Sequence, residues 1–426
     1  MTTVFIDARI FDGTGGEPFA GEVRVEGDRV TQVAAGSGQV NREGAEVVDA
    51  AGKTLLPGLI EAHAHLSWPS SVDRLIPTME LPAEEHLLVT AHNAKTLLDA
   101  GFTSAYSAGS LGGRFEIALR AEINGGWLPG PRLRASCIER APEGDVGVPD
   151  SHDPDDHGRG PEAVRAFVRK WAANGVDTIK FLLSSDDAFV PGGSHQLLYT
   201  DEEVQAAGEQ ARESGVWLAC HAHAAASVKQ AVQNGFRAIY HCTHADEEAL
   251  DLLEEAKDRV FVAPAVGVVY TGAYEAAQFG MDATVIAEKG MLETLERWST
   301  VIPEMRRRGI RVLPGGDYGF PWNPNGANAR DLQYFVELYG FSPAEALRAA
   351  TMYGGQLMGM GDELGLVREG YLADLLLVDG DPLRDIGILR DRDRITHIMQ
   401  GGRFHKRPRR EELESLLALQ HQSVHA

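Results

Sequence analysis

Short segments of alternating apolar and polar residues occur at both ends of the chain. They cover residues 4–8, 21–25, 30–33 and 46–48 near the N-terminus, and residues 373–378 and 395–399 near the C-terminus. A period of two is typical of strands with one buried face, and Glu26-Gly27-Asp28 favours a hairpin between the second and third segments. We expect the two ends to form one small β-sandwich domain, built from residues 1–57 and 359–407.

The middle of the chain, residues 58–358, repeats an apolar strand followed by an amphipathic helix. Eight such strands are predicted, at residues 58–62, 103–106, 132–137, 177–183, 217–221, 238–241, 260–263 and 311–315. Thr200 with Glu203 forms a capping box for one intervening helix, and Pro161 opens another. Eight repeats are the number that closes a (β/α)8 TIM barrel of the α/β class. An open doubly wound sheet is the alternative, but it usually carries a glycine-rich phosphate loop after its first strand, and none is present.

Two further segments stand outside this pattern. Residues 141–160 are rich in Pro, Gly, Asp and His and predict a long loop after the third barrel strand, beside the active site of such a barrel. Residues 408–426 carry leucines at helical spacing and predict a C-terminal helical tail that packs on the surface or on a partner subunit. We expect a homo-oligomer.

The composition narrows the range of partners. Aspartate and glutamate outnumber lysine and arginine by 62 to 40, which gives a formal net charge of −22 and argues against nucleic-acid and anionic-membrane partners. A small-molecule substrate is expected instead. The N-terminus lacks a basic segment followed by an apolar core, and three cysteines do not make a disulfide framework. A cytoplasmic location is therefore predicted.

The strongest chemical signal is His63-Ala64-His65 at the end of the first barrel strand. Side chains two residues apart on a strand point the same way, so both imidazoles can reach one cation. Four more polar residues lie at or just beyond the ends of later strands: Lys180, His221, His241 and Asp317. A single buried histidine usually only packs in a core, and a single loop aspartate usually caps a helix. Several such residues at one rim of a barrel favour a metal site.

Lys180 needs a separate explanation. Period-two alternation places Ile179 and Phe181 towards the helices, so Lys180 points into the barrel. An unpaired ammonium group in such a place is costly. We therefore expect this lysine to have a special role.

The sequence resembles the amidohydrolase superfamily, in the branch that includes zinc prolidases, ochratoxin-type amidases, molinate hydrolase and phenylurea hydrolase. The resemblance covers nearly the whole chain. It rests on Pro57-Gly58 before the two histidines, on Asn328-Ala329-Arg330-Asp331-Leu332, on Ala344, Leu347, Ala350 and Thr351, and on residues 365–376.

This resemblance implies a binuclear centre with two divalent metal ions, zinc or else cobalt, manganese or iron. His63, His65 and Asp317 would hold the more buried ion. His221 and His241 would hold the more exposed ion, and an N6-carboxylated Lys180 would bridge the two. Carboxylation requires a neutral amine, which burial favours.

Some positions remain open. His223 and His244 compete with His221 and His241 as ligands; we prefer the earlier member of each pair, because it matches the family position at the strand end. His223 then becomes a candidate catalytic or substrate-contacting residue. Four residues that follow barrel strands are candidates for the substrate pocket: Trp68, Tyr106, His152 and Trp322.

The predicted activity is hydrolysis of a C–N bond in a small molecule. Hydroxide shared by the two ions would attack the carbonyl carbon, and Asp317 would take up the proton and pass it to the departing nitrogen. The substrate is either an aryl urea or (thio)carbamate, or an N-acyl amino acid or dipeptide.

Two alternatives to this activity stay open. A deaminase on the same fold would use one metal ion and a glutamate where this chain has His223, and would leave Lys180 unexplained. A non-catalytic scaffold would have lost ligands that are all present here.

Overall fold

The computed structural model describes residues 2–142 and 158–408. Most of the predicted loop at 141–160, with the pocket candidate His152, lies outside the described residues. So does the predicted C-terminal tail beyond residue 408. Within the described ranges, no helix combines the length and the apolar character that a membrane crossing requires.

Strands from both ends of the chain form one eight-stranded sheet. Its members are β1 (Thr2–Ile10), β2 (Phe19–Glu26), β3 (Arg29–Ala35), β4 (Glu46–Asp49), β5 (Lys53–Pro57), β13 (Leu375–Asp379), β14 (Ile395–Gln400) and β15 (Arg403–Lys406). They run in the order β15-β14-β13-β5-β1-β2-β3, with β4 paired to β1. Glu26 pairs with Arg29, so the predicted hairpin closes through a two-residue turn. The small β-domain built from both ends is thus confirmed, whereas its boundaries at 57 and 359 stay a prediction.

The barrel is built from parallel strands in the middle of the chain. They are β6 (Leu59–Ala64), β7 (Phe102–Ser107), β8 (Arg132–Arg134), β9 (Thr178–Leu182), β10 (Trp217–Ala222), β11 (Ala238–His241) and β12 (Phe261–Ala263). One ladder runs β6-β7-β8 and the other β12-β11-β10-β9. Arg140 joins the two, because its N–H donates to the carbonyl oxygen of Lys180 at 2.9 Å and its own carbonyl accepts from the N–H of Leu182 at 3.0 Å.

The predicted eighth strand is shorter than expected. Only a single bridge, from Val312 to Val262, forms in residues 311–315. Pro314 has no N–H to donate to a ladder, and two glycines follow it, so regular pairing stops. The segment still lies against β6, since a Cβ on Gly315 would lie 2.9 Å from the Cβ of His63. The TIM-barrel fold class is confirmed with this correction.

Helices alternate with the barrel strands. They are α1 (Ala83–Asp99), α2 (Phe115–Asn124), α3 (Pro161–Ala173), α4 (Asp201–Ser214), α5 (Ala225–Gln233), α6 (Glu247–Glu255), α7 (Val266–Tyr274), α8 (Ala283–Glu288), α9 (Met291–Arg307), α10 (Arg330–Tyr339), α11 (Pro343–Arg348) and α12 (Gly354–Leu357). The predicted capping box is confirmed: Thr200 Oγ1 accepts from the N–H of Glu203 at 3.3 Å, and Glu203 Oε2 accepts from the N–H of Thr200 at 2.9 Å.

Strand alternation decides which side chains can reach the site. In β9, Ile179 and Phe181 are fully buried in the large core cluster between strands and helices. Lys180, between them, is buried in the barrel interior. The carboxyl ends of parallel strands open on the same rim, so polar residues at these ends meet there.

Candidate metal centre

His63 and His65 lie at the end of β6, each 1% exposed. The backbone N–H of His63 donates to Glu61 Oε1 at 3.0 Å. The ring of His65 stacks on Trp68 with centroids 3.8 Å apart, and its Nδ1 lies 3.0 Å from the carbonyl oxygen of Gly109. A carbonyl can only accept, so Nδ1 carries the proton and Nε2 keeps a free lone pair. This is the usual arrangement of a histidine that ligates a metal.

Asp317 faces these two histidines from the loop after the short eighth strand. Its Oδ1 lies 3.2 Å from His65 Nε2 and 3.8 Å from His63 Nε2. The residue adopts φ +61°, in the left-handed region that most side chains avoid. Backbone strain of this kind is often found at functional sites.

Asp331 at the start of α10 holds the loop that carries Asp317. Its Oδ2 accepts from the N–H of Gly315 at 3.3 Å, and its Oδ1 accepts from the Tyr318 hydroxyl at 2.9 Å. A Cβ on Gly316 would come within 2.3 Å of Oδ1, so this loop needs glycine there. Burial raises the pKa of Asp331 to about 7.

His221 and His241 complete the predicted histidines. Their ring centroids are 4.3 Å apart. Burial, followed by the charges of neighbouring histidines, lowers the pKa of both rings well below the usual value, so both are neutral and can offer a lone pair. His241 also has a positive φ, +72°. Two groups bring their ligand atoms within 4.8 Å of one another: His63, His241 and Asp317, and His221, His223 and His241.

Lys180 points towards the same cluster of histidines. We expected its ammonium group to have no partner, but it has three. Its Nζ donates to the carbonyl oxygen of Ala108 at 3.0 Å, lies 4.6 Å from the centroid of the Tyr240 ring, and lies 3.6 Å from Glu139 Oε2. These three contacts compensate the buried charge, which corrects the premise that an ammonium group here would be unsatisfied. The side chain is near the histidines, since its charge is the largest contribution after burial to the lowered pKa of His63.

His223 has partners for both ring nitrogens. Its Nδ1 lies 2.7 Å from Thr243 Oγ1, and its Nε2 lies 3.2 Å from Asp186 Oδ2. The Nε2 of His221, by contrast, is buried without a hydrogen-bond partner in the described part of the chain. This difference favours His221 as the ligand, the choice made from the sequence.

His244 belongs to a separate cluster. Its ring stacks on His195 at 3.8 Å, and its Nε2 lies 2.8 Å from Ser194 Oγ. Burial lowers the pKa of His244 to about 4. The contacts of His244 therefore favour His241 as the ligand of that pair.

A cavity of about 760 Å³ opens over the polar cluster. Trp68 and Trp322, both predicted as pocket residues, lie in its wall. The prediction that Tyr106 lines the pocket is wrong. Its hydroxyl donates to Thr178 Oγ1 at 3.0 Å, and its ring stacks on Trp217 with centroids 6.3 Å apart. It therefore lies inside the barrel rather than in the cavity wall, because it sits within β7 and not beyond its end.

Sequence reasoning missed two carboxylates of the cavity, Glu139 and Asp186. Glu139 lies between His65 and Lys180, and Asp186 lies beside His221 and His223. Burial alone would raise the pKa of Asp186, but the nearby histidines, His223 first, lower it. Both residues follow predicted barrel strands by a few positions, and this was the signal that could have found them.

The residues fit a divalent metal by their own chemistry. Among the described residues, Asp317 Oδ1 and His221 Nε2 are buried atoms without a hydrogen-bond partner. A buried acceptor without a partner is costly, and a bound cation would remove that cost. Neutral imidazoles with a carboxylate are the ligands that zinc and similar ions prefer.

Known protein families and sequences resemble this chain over most of its length. A model of the amidohydrolase family matches residues 54–404. The ochratoxinase of Aspergillus niger is 25% identical over 389 residues, which cover 83% of this chain and 76% of that protein.

Solved structures of several hydrolases resemble this chain over nearly its whole length. A Xaa-Pro dipeptidase with methionine in its active site is 25% identical, with a TM-score of 0.83, and the match covers 95% of this chain and 100% of that chain. A prolidase complexed with N-methylphosphonate-L-proline has the same identity of 25% and TM-score of 0.83, covering 96% and 100%. Ochratoxinase, molinate hydrolase and phenylurea hydrolase share the fold. The resemblance stated from the sequence is thus confirmed.

Proposed function

The chain belongs to the amidohydrolase family and is a hydrolase that acts on C–N bonds, and we propose that it cleaves an amide, carbamate or urea bond of a small molecule at a centre with two divalent metal ions. The observation that carries this proposal is the convergence of six side chains at one rim of the barrel: His63, His65, Lys180, His221, His241 and Asp317. Zinc is the ion proposed first, with cobalt, manganese and iron as alternatives.

The ligands divide into two sets in this proposal. His63, His65 and Asp317 hold one ion, in keeping with the short distances from Asp317 Oδ1 to both rings. His221 and His241 hold the other. Lys180, whose charge acts on His63, His221 and His241, would supply ligand oxygens to both ions as its N6-carboxylate. Two ligand groups that share His241 support a pair of adjacent ions, since both groups draw on the same small volume.

The residues of the chain have defined roles in the reaction. Divalent ions bound there would lower the pKa of a water molecule towards about 7 and polarise a carbonyl group. Asp317 accepts the proton of the attacking water at its carboxylate and returns it to the leaving nitrogen. His223, fixed by Thr243 and Asp186, lines the same cavity and is proposed as a substrate-contacting residue.

The cavity wall suggests an apolar substituent next to the scissile bond. Phe320 contacts Trp68 with ring centroids 4.7 Å apart and stacks on Trp322 at 4.8 Å, so three aromatic rings continue outward from His65. An aromatic wall binds aryl or large aliphatic groups by burying their surface. N-acyl amino acids or dipeptides with such side chains, and N-aryl ureas or (thio)carbamates, are the two substrate classes proposed.

A hydrolysis screen of metal-loaded protein tests the proposal. The panel contains hydrophobic N-acyl amino acids, dipeptides, N-aryl ureas and carbamates, together with aminated heterocycles as deaminase substrates, and metal content is measured on the same sample. About two ions per chain with hydrolysis of an amide, carbamate or urea would support the proposal. One ion per chain with ammonia released only from the heterocycles would overturn it in favour of a deaminase, and no turnover at all would favour a scaffold.

A further inference from the structure

Glu139 brings a carboxylate into the proposed metal centre from the segment after β8. Its Oε1 lies 3.5 Å from His65 Nδ1, and its Oε2 lies 3.6 Å from Lys180 Nζ. The side chain is 22% exposed and lines the cavity. One carboxylate thus contacts two residues of the proposed ligand set, which come from different strands, β6 and β9.

The backbone just after the neighbouring strand β7 leaves room for this side chain. A Cβ on Gly109 would lie 2.3 Å from Glu139 Cγ and 2.7 Å from its Oε1, so no other residue fits at 109 while Glu139 keeps its place. The carbonyl oxygen of Gly109 also accepts from His65 Nδ1. Gly109 therefore orients His65 through its carbonyl oxygen and leaves the space that the Glu139 side chain occupies.

The contacts of Glu139 are electrostatic rather than short hydrogen bonds. Both of its contacts, at 3.5 and 3.6 Å, are longer than an ordinary charge-assisted hydrogen bond. A partly buried carboxylate that contacts two of the proposed ligand residues would attract divalent ions held there more strongly than it would in bulk water, because the dielectric constant around it is lower. Residues that orient metal ligands in this way commonly change metal affinity by about 10–100-fold.

We propose that Glu139 is a positioning residue of the metal centre, whose carboxylate keeps the ends of His65 and Lys180 in place and adds a negative charge beside the bound cations. This role rests on the proposed function for the presence of the ions, but not on the identity of the substrate. Once Lys180 is an N6-carboxylate, its negative charge no longer attracts the Glu139 carboxylate, so the role then rests on the contact with His65 Nδ1.

The substitution Glu139→Gln tests this role, because it removes the charge and keeps the size. Glu80 offers a matched control: it is an exposed carboxylate in the wall of the same cavity, so Glu80→Gln removes the same charge from the cavity without touching a ligand. Co²⁺ is the probe, since its visible absorption spectrum reports the geometry of the ligands. Affinity is measured by competition with a chelator, and unfolding by urea is measured in excess chelator.

We expect Glu139→Gln to weaken Co²⁺ binding by about 10–100-fold and to alter the absorption spectrum, with unchanged unfolding in chelator. Glu80→Gln should stay within about two-fold of the wild type, as surface charges at a distance are screened. Wild-type affinity and spectrum in Glu139→Gln, or an equal loss in both variants, would overturn the role of Glu139 while leaving the metal centre intact. A wild-type protein that takes up no Co²⁺ would overturn the proposed centre itself, and this role with it.

Discussion

The ring of His63 lies on the ring of Tyr240, with centroids 3.8 Å apart and an angle of 22° between the planes. The Tyr240 hydroxyl donates to the carbonyl oxygen of Ala62 at 3.1 Å, and Lys180 Nζ lies 4.6 Å from the centre of the same ring. One buried aromatic side chain of β11 thus contacts residues of β6 and β9. It supports two members of the proposed ligand set without being a ligand.

Two substitutions at Tyr240 separate the ring from its hydroxyl. Tyr240→Phe keeps the stacking and loses one hydrogen bond, so we expect a loss of about 1 kcal/mol in the free energy of unfolding and unchanged metal content. Tyr240→Ala removes the ring, and we expect a loss of about 3–5 kcal/mol together with a lower metal content. Urea denaturation and metal analysis of both variants check this. Full metal content in Tyr240→Ala would mean that the ring does not orient His63 or Lys180.

The barrel and its ligand positions could be predicted because their signals are local. The alternation of residues within β9 was sufficient to predict that Lys180 points into the barrel and Ile179 towards the helices. The predicted strand ends were sufficient to place His221 and His241 at one rim of the barrel. The physical reason is that a parallel barrel places every strand end on one face. A residue at a strand end therefore reveals its position without any knowledge of long-range contacts.

Contacts between distant segments could not be predicted in the same way. Nothing in the sequence around Glu139 indicates that it meets Lys180, 41 positions later, because that contact depends on how the segment after β8 bends over Gly109. For the same reason Lys180 was expected to be unpaired. The short eighth strand had a local signal in Pro314, whereas Tyr106 was the last residue of the strand predicted at 103–106 and only the structure places it before the end of β7.

Asp331 predicts a pH dependence of stability. Burial raises the pKa of its carboxyl to about 7, against about 3.9 in an unfolded chain. Between about pH 4 and pH 7 the folded protein therefore binds more protons than the unfolded chain. The stabilisation of the folded state by protonated Asp331 is complete below about pH 4 and is lost as the pH rises to about 7. This one group contributes a slope of at most about 1.4 kcal/mol per pH unit.

Asp331→Asn tests that slope, because the amide does not titrate. We expect the variant to be less stable at pH 4.5, since an amide offers one acceptor in place of the two that hold Gly315 and Tyr318. The difference from the wild type should shrink as the pH rises. Urea denaturation between pH 4.5 and 7.5, in excess chelator, gives the two curves. A difference that stays constant with pH would show that Asp331 titrates normally.

Lys180 predicts a chemical modification that can be observed directly. Carboxylation adds CO₂ to the neutral amine with loss of one proton and converts a cation into an anionic ligand. We expect ¹³C-labelled bicarbonate to give a carbamate carbon signal in the NMR spectrum of the metal-loaded protein, and Lys180→Arg to lose it. Lys289→Arg is the matched control, because Lys289 lines the same cavity but its Nζ donates to the carbonyl oxygen of Ala188 at 2.7 Å, away from the histidines. A signal that persists in Lys180→Arg would assign the carbamate elsewhere.

Asp317→Asn is the substitution that bears most directly on the reaction. Asparagine is among the residues that tolerate the left-handed backbone conformation found at 317, with φ +61°, so we expect the variant to fold with an unfolding midpoint close to that of the wild type. It cannot accept a proton, and we therefore expect hydrolysis to fall by about 10²–10⁴-fold. Steady-state kinetics, metal analysis and thermal unfolding of one preparation check these points. Loss of turnover with both ions retained identifies Asp317 as the proton acceptor, and loss of an ion identifies it as a required ligand. Undiminished turnover would contradict both roles, and the proton would then have to be accepted by another residue of the cavity, such as Glu139 or Asp186.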